Sequence, residues 1–207
     1  GNFGNVFACY SAFKMGLPIK TISVAVNDND ILHRFFASND YSKKQVHETI
    51  SPSMDISVAS NFERLVYDFF LDRSTAKCAE LFNNFPNQGI ELDEAIWNKK
   101  NDLFSSSSVD DAATQAIIQS INNEHRYLLD PHTAVAMQEA IEASSSTDHY
   151  VVLATAHPAK FPDIYKKAAI DLSETPRALK GLYDKTEHLH HFDANYDEIT
   201  SFINSRN

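Results

Sequence analysis

The run Lys20-Thr-Ile-Ser-Val-Ala-Val26 narrows the choice of folds more than any other stretch of the chain. Its β-branched residues lose rotamer freedom in a helix, and its apolar positions show no helical spacing, so it is predicted to be a strand. Helical patterns flank it on both sides. Residues 5–16 place Val6, Phe7, Tyr10 and Phe13 at helical spacing and stop at Gly16, with Pro18 just beyond. After the strand, Asn27-Asp28-Asn29-Asp30 reads as a turn and helix N-cap before Ile31, Leu32, Phe35 and Phe36. A second run, His149-Tyr-Val-Val-Leu-Ala-Thr155, is also predicted to be a strand between helices. Strands that alternate with helices need a mainly parallel sheet covered on both sides. The expectation is therefore an α/β protein, a three-layer fold with helices flanking the sheet, in preference to an all-α one.

Between the two runs, Asn61 to Phe70 is amphipathic and predicted helical. Residues 74–84 and 92–100 read as two more helices, separated by Pro86-Asn-Gln-Gly89, and Ser105 to Ser108 as a polar hinge. Asp110 or Asp111 can cap a helix reaching about Arg126, and Asp130-Pro131 opens another, with Pro where its missing N–H costs nothing. Residues 159–170 and 193–203 complete the helical set.

The chain length of 207 residues suits one domain with a sizeable core. A net charge of −10 provides no basic stripe to meet a nucleic-acid backbone. Cys9 and Cys78 are too few for a disulfide framework and suggest a reducing compartment. No apolar run approaches membrane-spanning length, and the default expectation is the cytoplasm.

Gly1-Asn-Phe-Gly-Asn5 runs straight into the first helical pattern. Glycine lets a main chain bend and approach an anion closely, and the first N–H groups of a helix have no internal acceptor. Such a loop can cradle a phosphate, or it can simply cap a helix. A phosphate loop of this kind is normally delivered by a buried strand. The chain is accordingly expected to be the C-terminal part of a larger protein whose sheet is truncated on its N-terminal side.

Several further segments occur in a recognisable order. They are Gly16-Leu-Pro-Ile19, Asn27-Asp-Asn-Asp-Ile31, Ser51-Pro-Ser-Met-Asp55 with Asn61-Phe-Glu-Arg64, Leu129-Asp-Pro-His-Thr-Ala-Val135, and Leu153-Ala-Thr-Ala-His-Pro-Ala-Lys-Phe161. Together with the opening loop they resemble the threonine synthase family, pyridoxal-phosphate enzymes of fold type II, related to the tryptophan synthase β chain. The resemblance spans nearly the whole chain. It implies pyridoxal 5'-phosphate as cofactor, O-phospho-L-homoserine as substrate, and L-threonine and phosphate as products. It also implies that the cofactor-bearing lysine lies upstream of the loop, so that no catalytic residue is assigned here and the segment alone is expected to be inactive. A different fold type II enzyme, or a non-catalytic relative that binds phosphorylated ligands, would share the loop.

Carried over residue by residue, the resemblance assigns Gly1, Asn2, Phe3, Gly4 and Asn5 to the cofactor phosphate. It assigns Thr155 to the pyridine nitrogen, where a neutral hydroxyl makes the ring a milder electron sink than a carboxylate would. Asn61 and Arg64 are candidate substrate contacts, since a guanidinium fork suits phosphate or carboxylate; an exposed Arg on an amphipathic helix can equally be solvated. His132 and Thr133 either face the cofactor or hold two helices together. His157 reads as a structural histidine at a turn. His188-Leu-His-His191 reads as a solvated cluster, so no metal site is expected. Without the upstream region, apolar surface would be exposed, and self-association over it is expected.

Overall fold

The computed structural model describes residues 1–143, 149–167, 170, 172, 176–182 and 184–206, and divides into two compact units, Gly1–Leu172 and Ser173–Asn207. In the first unit, helix α1 (Gly4–Lys14) leads into strand β1 (Ile22–Val26), which is followed by helix α2 (Ile31–Ser38). Helix α3 (Phe62–Leu65) continues without a break into a wider π-helical turn, Val66–Phe70. Then come α4 (Thr75–Gln88), α5 (Glu94–Trp97), strand β2 (Phe104–Ser108), α6 (Asp111–His125), α7 (Pro131–Ala143) and α8 (Pro162–Lys167).

The sheet among the described residues consists of β1 and β2, parallel and in register from Ile22 opposite Phe104 to Val26 opposite Ser108. Alternate residues of a strand point to opposite faces. Ile22, Val24 and Val26 enter an apolar cluster with Tyr10 of α1 and Phe35 and Phe36 of α2. On the other face, Ala25 packs beside Met54 and Val135 of α7, and Ser23 Oγ donates to Glu139 Oε1 at 2.5 Å. Helices on both faces of a parallel pair give the three-layer α/β arrangement that the sequence rhythm predicts.

Several local expectations are corrected. Ser105 to Ser108 is not a hinge but most of β2. Two of its hydroxyls are taken up locally, Ser105 Oγ donating to Ser23 Oγ at 2.9 Å and Ser108 Oγ to the Asn27 carbonyl at 3.0 Å. Conversely, residues 149–155 form no strand pairing among the described residues. Val151 is 86% exposed and Leu153 46%, and a strand forms only where a neighbour supplies backbone partners. Helix α4 runs through Pro86 to Gln88, because a proline in the last turn removes one bond while Phe85 packs against Tyr41 at 5.3 Å. Asp30 stands at the N-cap of α2 but makes no capping bond; its Oδ1 accepts instead from Arg34 Nε at 2.8 Å. Residues 168 and 169 of the helix expected at 159–170, and Ser144-Ser-Ser-Thr147, where the helix opened by Asp130-Pro131 is expected to end, lie outside the described residues.

The core is aromatic. Phe35, Tyr41, Phe62 and Phe70 are almost fully buried, with Phe62 at 4.7 Å from Phe35 and 4.6 Å from Tyr41 between ring centroids. A smaller cluster of Ile118, Leu129, Ala134 and Tyr165 joins α6, α7 and α8. In the second unit, α9 (Tyr196–Asn204) is capped by Asn195, whose Oδ1 accepts from the N–H groups of Asp197 and Glu198. His190 lies against Phe202 there, and His188 and His191 are exposed. No cluster of metal-ligating side chains and no helix long and apolar enough to cross a membrane occurs among the described residues.

Candidate functional site

The opening loop is anchored by its one apolar residue. Phe3 is only 2% exposed and packs edge-on to Phe62 at 5.3 Å. Its backbone is left-handed, with φ 65°. That conformation costs a non-glycine residue ~1–2 kcal/mol, a cost that burying an aromatic ring of this size, worth ~1.5–3 kcal/mol, offsets. A left-handed residue followed by a helix turns successive N–H groups inward to form an anion-binding concavity. The first helical bond is donated by Phe7 to the Phe3 carbonyl at 3.0 Å. The N–H groups of Gly4, Asn5 and Val6 therefore precede the ladder of α1 and have no acceptor among the described residues. A Cβ on Gly4 would have only Asn61 Nδ2 near it, at 3.8 Å, so this face of the loop is open. The concavity fits a phosphate.

Asn2 and Gly1 are fixed from the other side. Asn2 Oδ1 accepts from the Ser60 N–H at 2.6 Å, and the Asn2 carbonyl accepts from Asn61 Nδ2 at 3.0 Å. Asn61 is thus brought directly against the loop. Arg64 lies three residues on, on the same helical face; it is exposed, and its guanidinium has no partner among the described residues. Gly1 is pressed against Ser53: a Cβ there would lie 2.9 Å from the Ser53 carbonyl oxygen, closer than side-chain carbons come.

The turn carrying Ser53 (Pro52–Met54) is held at the C-terminal end of β1, where ligands of open α/β sheets bind. Asp55 Oδ1 accepts from Asn27 Nδ2 at 2.7 Å, Asn29 Nδ2 at 2.9 Å and Thr49 Oγ1 at 2.7 Å. Asn27 and Asn29 are therefore buried struts for this turn rather than helix caps alone. The Ser53 N–H donates to His132 Nε2 at 3.1 Å. The neighbouring Thr133 Oγ1 accepts the N–H of Thr155 at 3.1 Å. A continuous path thus runs from Gly1 through Ser53 and the His132-Thr133 pair to Thr155. His132 and Thr133 do not hold two helices together; they join the start of α7 to the Pro52–Met54 turn and to the extended segment at Thr155.

Thr155 itself is exposed, and its hydroxyl has no partner among the described residues. His157 Nδ1 accepts from the Ala159 N–H at 3.1 Å and caps the short turn Pro158–Lys160, a structural role. Asp130 was not singled out among the site residues, although an Asp before Pro is a visible helix-start signal. Its carboxyl is held below the usual carboxylate range: burial opposes ionisation, but bonds from His132 and Thr133 outweigh it.

A parallel strand pair layered between helices, with a helix-start concavity tied to the strand end, is an α/β arrangement of the kind found in fold type II pyridoxal-phosphate proteins. Residues 133–203 match the family model described as threonine synthase, C-terminal. A threonine synthase of Pseudomonas aeruginosa is 42% identical over 190 residues, covering 90% of this chain and 40% of that protein. The solved threonine synthase of Brucella melitensis with bound pyridoxal phosphate superposes with a TM-score of 0.89 at 38% identity, over 99% of this chain and 44% of that one. The yeast threonine synthase structure superposes with a TM-score of 0.81 at 33% identity, covering 99% of this chain and 45% of that one. The chain is a segment of the threonine synthase family, from the C-terminal part. It spans about 40% of the length of the curated relatives it matches.

Proposed function

We propose that this segment works within a threonine synthase that converts O-phospho-L-homoserine and water to L-threonine and phosphate, and that it holds pyridoxal 5'-phosphate at both ends. When bound, the cofactor supplies the electron sink that eases proton removal from the substrate and departure of its phosphate. The residues here hold, orient and tune. The N–H groups of Gly4 and Asn5, with the Asn5 carboxamide, would take the cofactor phosphate, while Gly1, Asn2 and Phe3 set the shape of the cradle. The Thr155 hydroxyl would bond the pyridine nitrogen without contributing a charge. Asn61 and Arg64 would form the substrate side, with the guanidinium available to an incoming phosphate or carboxylate.

The observation that carries this reading is a continuous path in which Gly1 packs against Ser53 and hydrogen bonds run on from Ser53 through His132, Asp130 and Thr133 to Thr155. It connects the two features that one elongated, phosphate-tailed ring must touch at once. The segment by itself is proposed to lack turnover, since no lysine in it is assigned to carry the cofactor. The test is Thr155→Val against Thr155→Ser in the whole enzyme. Val is expected to displace the absorption maximum of the bound cofactor and to cut kcat by about 10²-fold, while Ser restores both. An enzyme indifferent to Val at this position would refute the assignment.

A further inference from the structure

The two residues that link the site, His132 and Thr133, both lean on Asp130. Its side chain is almost fully buried, and its two oxygens divide their partners. Oδ1 accepts from the His132 main-chain N–H at 3.0 Å and lies 2.9 Å from His132 Nδ1. Oδ2 accepts from the Thr133 hydroxyl. Counting protons then fixes what each neighbour can do on its far side. An ionised carboxylate only accepts, so the imidazole hydrogen sits on Nδ1 and leaves Nε2 bare for the Ser53 N–H. Thr133 has one hydroxyl hydrogen and gives it to Asp130, so its oxygen is left to accept the Thr155 N–H. Both outward bonds run from a distant backbone N–H to a side chain, and both directions follow from one negative charge. Tyr165, also buried against this group, donates its hydroxyl to the Leu129 carbonyl at 2.8 Å and does not compete for the carboxylate.

The geometry points to Asp130 as a positioning residue that holds the phosphate cradle and the Thr155 hydroxyl at a fixed separation, through His132 on one side and Thr133 on the other. This rests on the reading that those two features grip one cofactor, and adds the residue that sets the span between them. Asp130→Asn keeps the shape but introduces an N–H pair where a neighbour needs an acceptor, so His132 or Thr133 must turn away.

The test uses the whole enzyme reconstituted with pyridoxal phosphate, read by the 31P resonance of the cofactor phosphate and by the absorption maximum of its ring. Asp130→Asn is expected to displace both signals together and to lower kcat by about 10²-fold with a smaller change in KM. Thr133→Val is expected to displace the absorption maximum alone, and His132→Leu the 31P resonance alone. A role confined to folding would lower the melting temperature without sorting the two signals in this way. The proposal is overturned if Asp130→Asn leaves both signals at their wild-type positions, or if each neighbour variant displaces both equally. Should Asp130→Asn not fold, the two neighbour variants decide the matter. Failure of the underlying reading looks different: Thr155→Val would leave the absorption maximum in place, whatever the Asp130 variants do, and this proposal would fall with it.

Discussion

Phe3 and Thr155 stand at the two ends of the proposed cofactor site, and different forces fix them. Phe3 is sunk in an aromatic cluster with Phe36 and Phe62, and drags the loop with it despite a left-handed backbone. Thr155 lies in an exposed extended segment, tied down by the bond from its N–H to Thr133 Oγ1. Apolar packing is non-directional and shared among many contacts, so its failure is a matter of volume. A buried polar relay is directional and depends on where each proton sits, so it fails when a single donor or acceptor changes. The phosphate end should therefore respond chiefly to cavities, and the ring end to isosteric changes of charge.

The largest expected break is Phe62→Ala, at the centre of the aromatic cluster. It should cost ~3–5 kcal/mol, measured by chemical denaturation, and should loosen the opening loop while leaving the Asp130 relay formed. Next comes Asp130→Ala, which strands the hydrogens of His132 and Thr133 in a buried setting. About 3 kcal/mol is expected, a large loss for a change that removes little apolar volume; a loss under about 0.5 kcal/mol would show that packing alone secures this end.

The two ends should also part company along the pH scale. Asp130 has a depressed folded-state pKa, so its contribution is complete above the ordinary carboxylate range and disappears as pH falls through the folded value. Tyr41, in the aromatic core, is pushed by burial from 10.0 up to about 12. A raised folded pKa makes the contribution complete below the unfolded value and lost as pH rises through the folded one. Stability should thus decline between pH 10 and 12 by up to ~1.4 kcal/mol per pH unit from this group. Tyr10 and Tyr165 are raised as well, chiefly by burial, and act in the same direction. Phe substitution at Tyr41 should flatten the alkaline limb measured by thermal melts, and leave the acid limb unchanged. The smallest effect expected is that of Gly1→Ala, whose methyl would meet the Ser53 carbonyl at 2.9 Å. The loop must give slightly, lowering cofactor affinity about tenfold, or ~1.4 kcal/mol, with little change in melting temperature.

The sequence made the layering legible through Ile22–Val26 and its flanking helices, because a central buried strand and amphipathic helices carry their periodicity in their own residues. Residues 105–108 and 149–155 went the wrong way for one shared reason. A strand is completed by its neighbour: four serines pair with β1 because a parallel neighbour meets their main chain, whereas the β-branched run at 149–155 has no paired neighbour among the described residues. Within the candidate site, local chemistry and family resemblance nominate the opening loop, Asn61 and Thr155, and the structure brings Asn61 against the loop. The role of Ser53 was not legible in the sequence, since a main-chain N–H and carbonyl leave no mark in the side-chain alphabet. Asp130 was visible as a helix start, but its link to Thr155 depends on residues 25 positions apart that only folding brings together.

The central claim is that one ligand spans from the N-terminus of α1 to Thr155, and the most direct test is a crystal structure of the whole enzyme with pyridoxal phosphate bound. The account predicts phosphate oxygens within hydrogen-bond reach of the Gly4 and Asn5 N–H groups and the pyridine nitrogen at the same reach from Thr155 Oγ1. A cofactor whose phosphate lies on that cradle while its ring nitrogen faces some other group, or whose phosphate binds elsewhere, would contradict it.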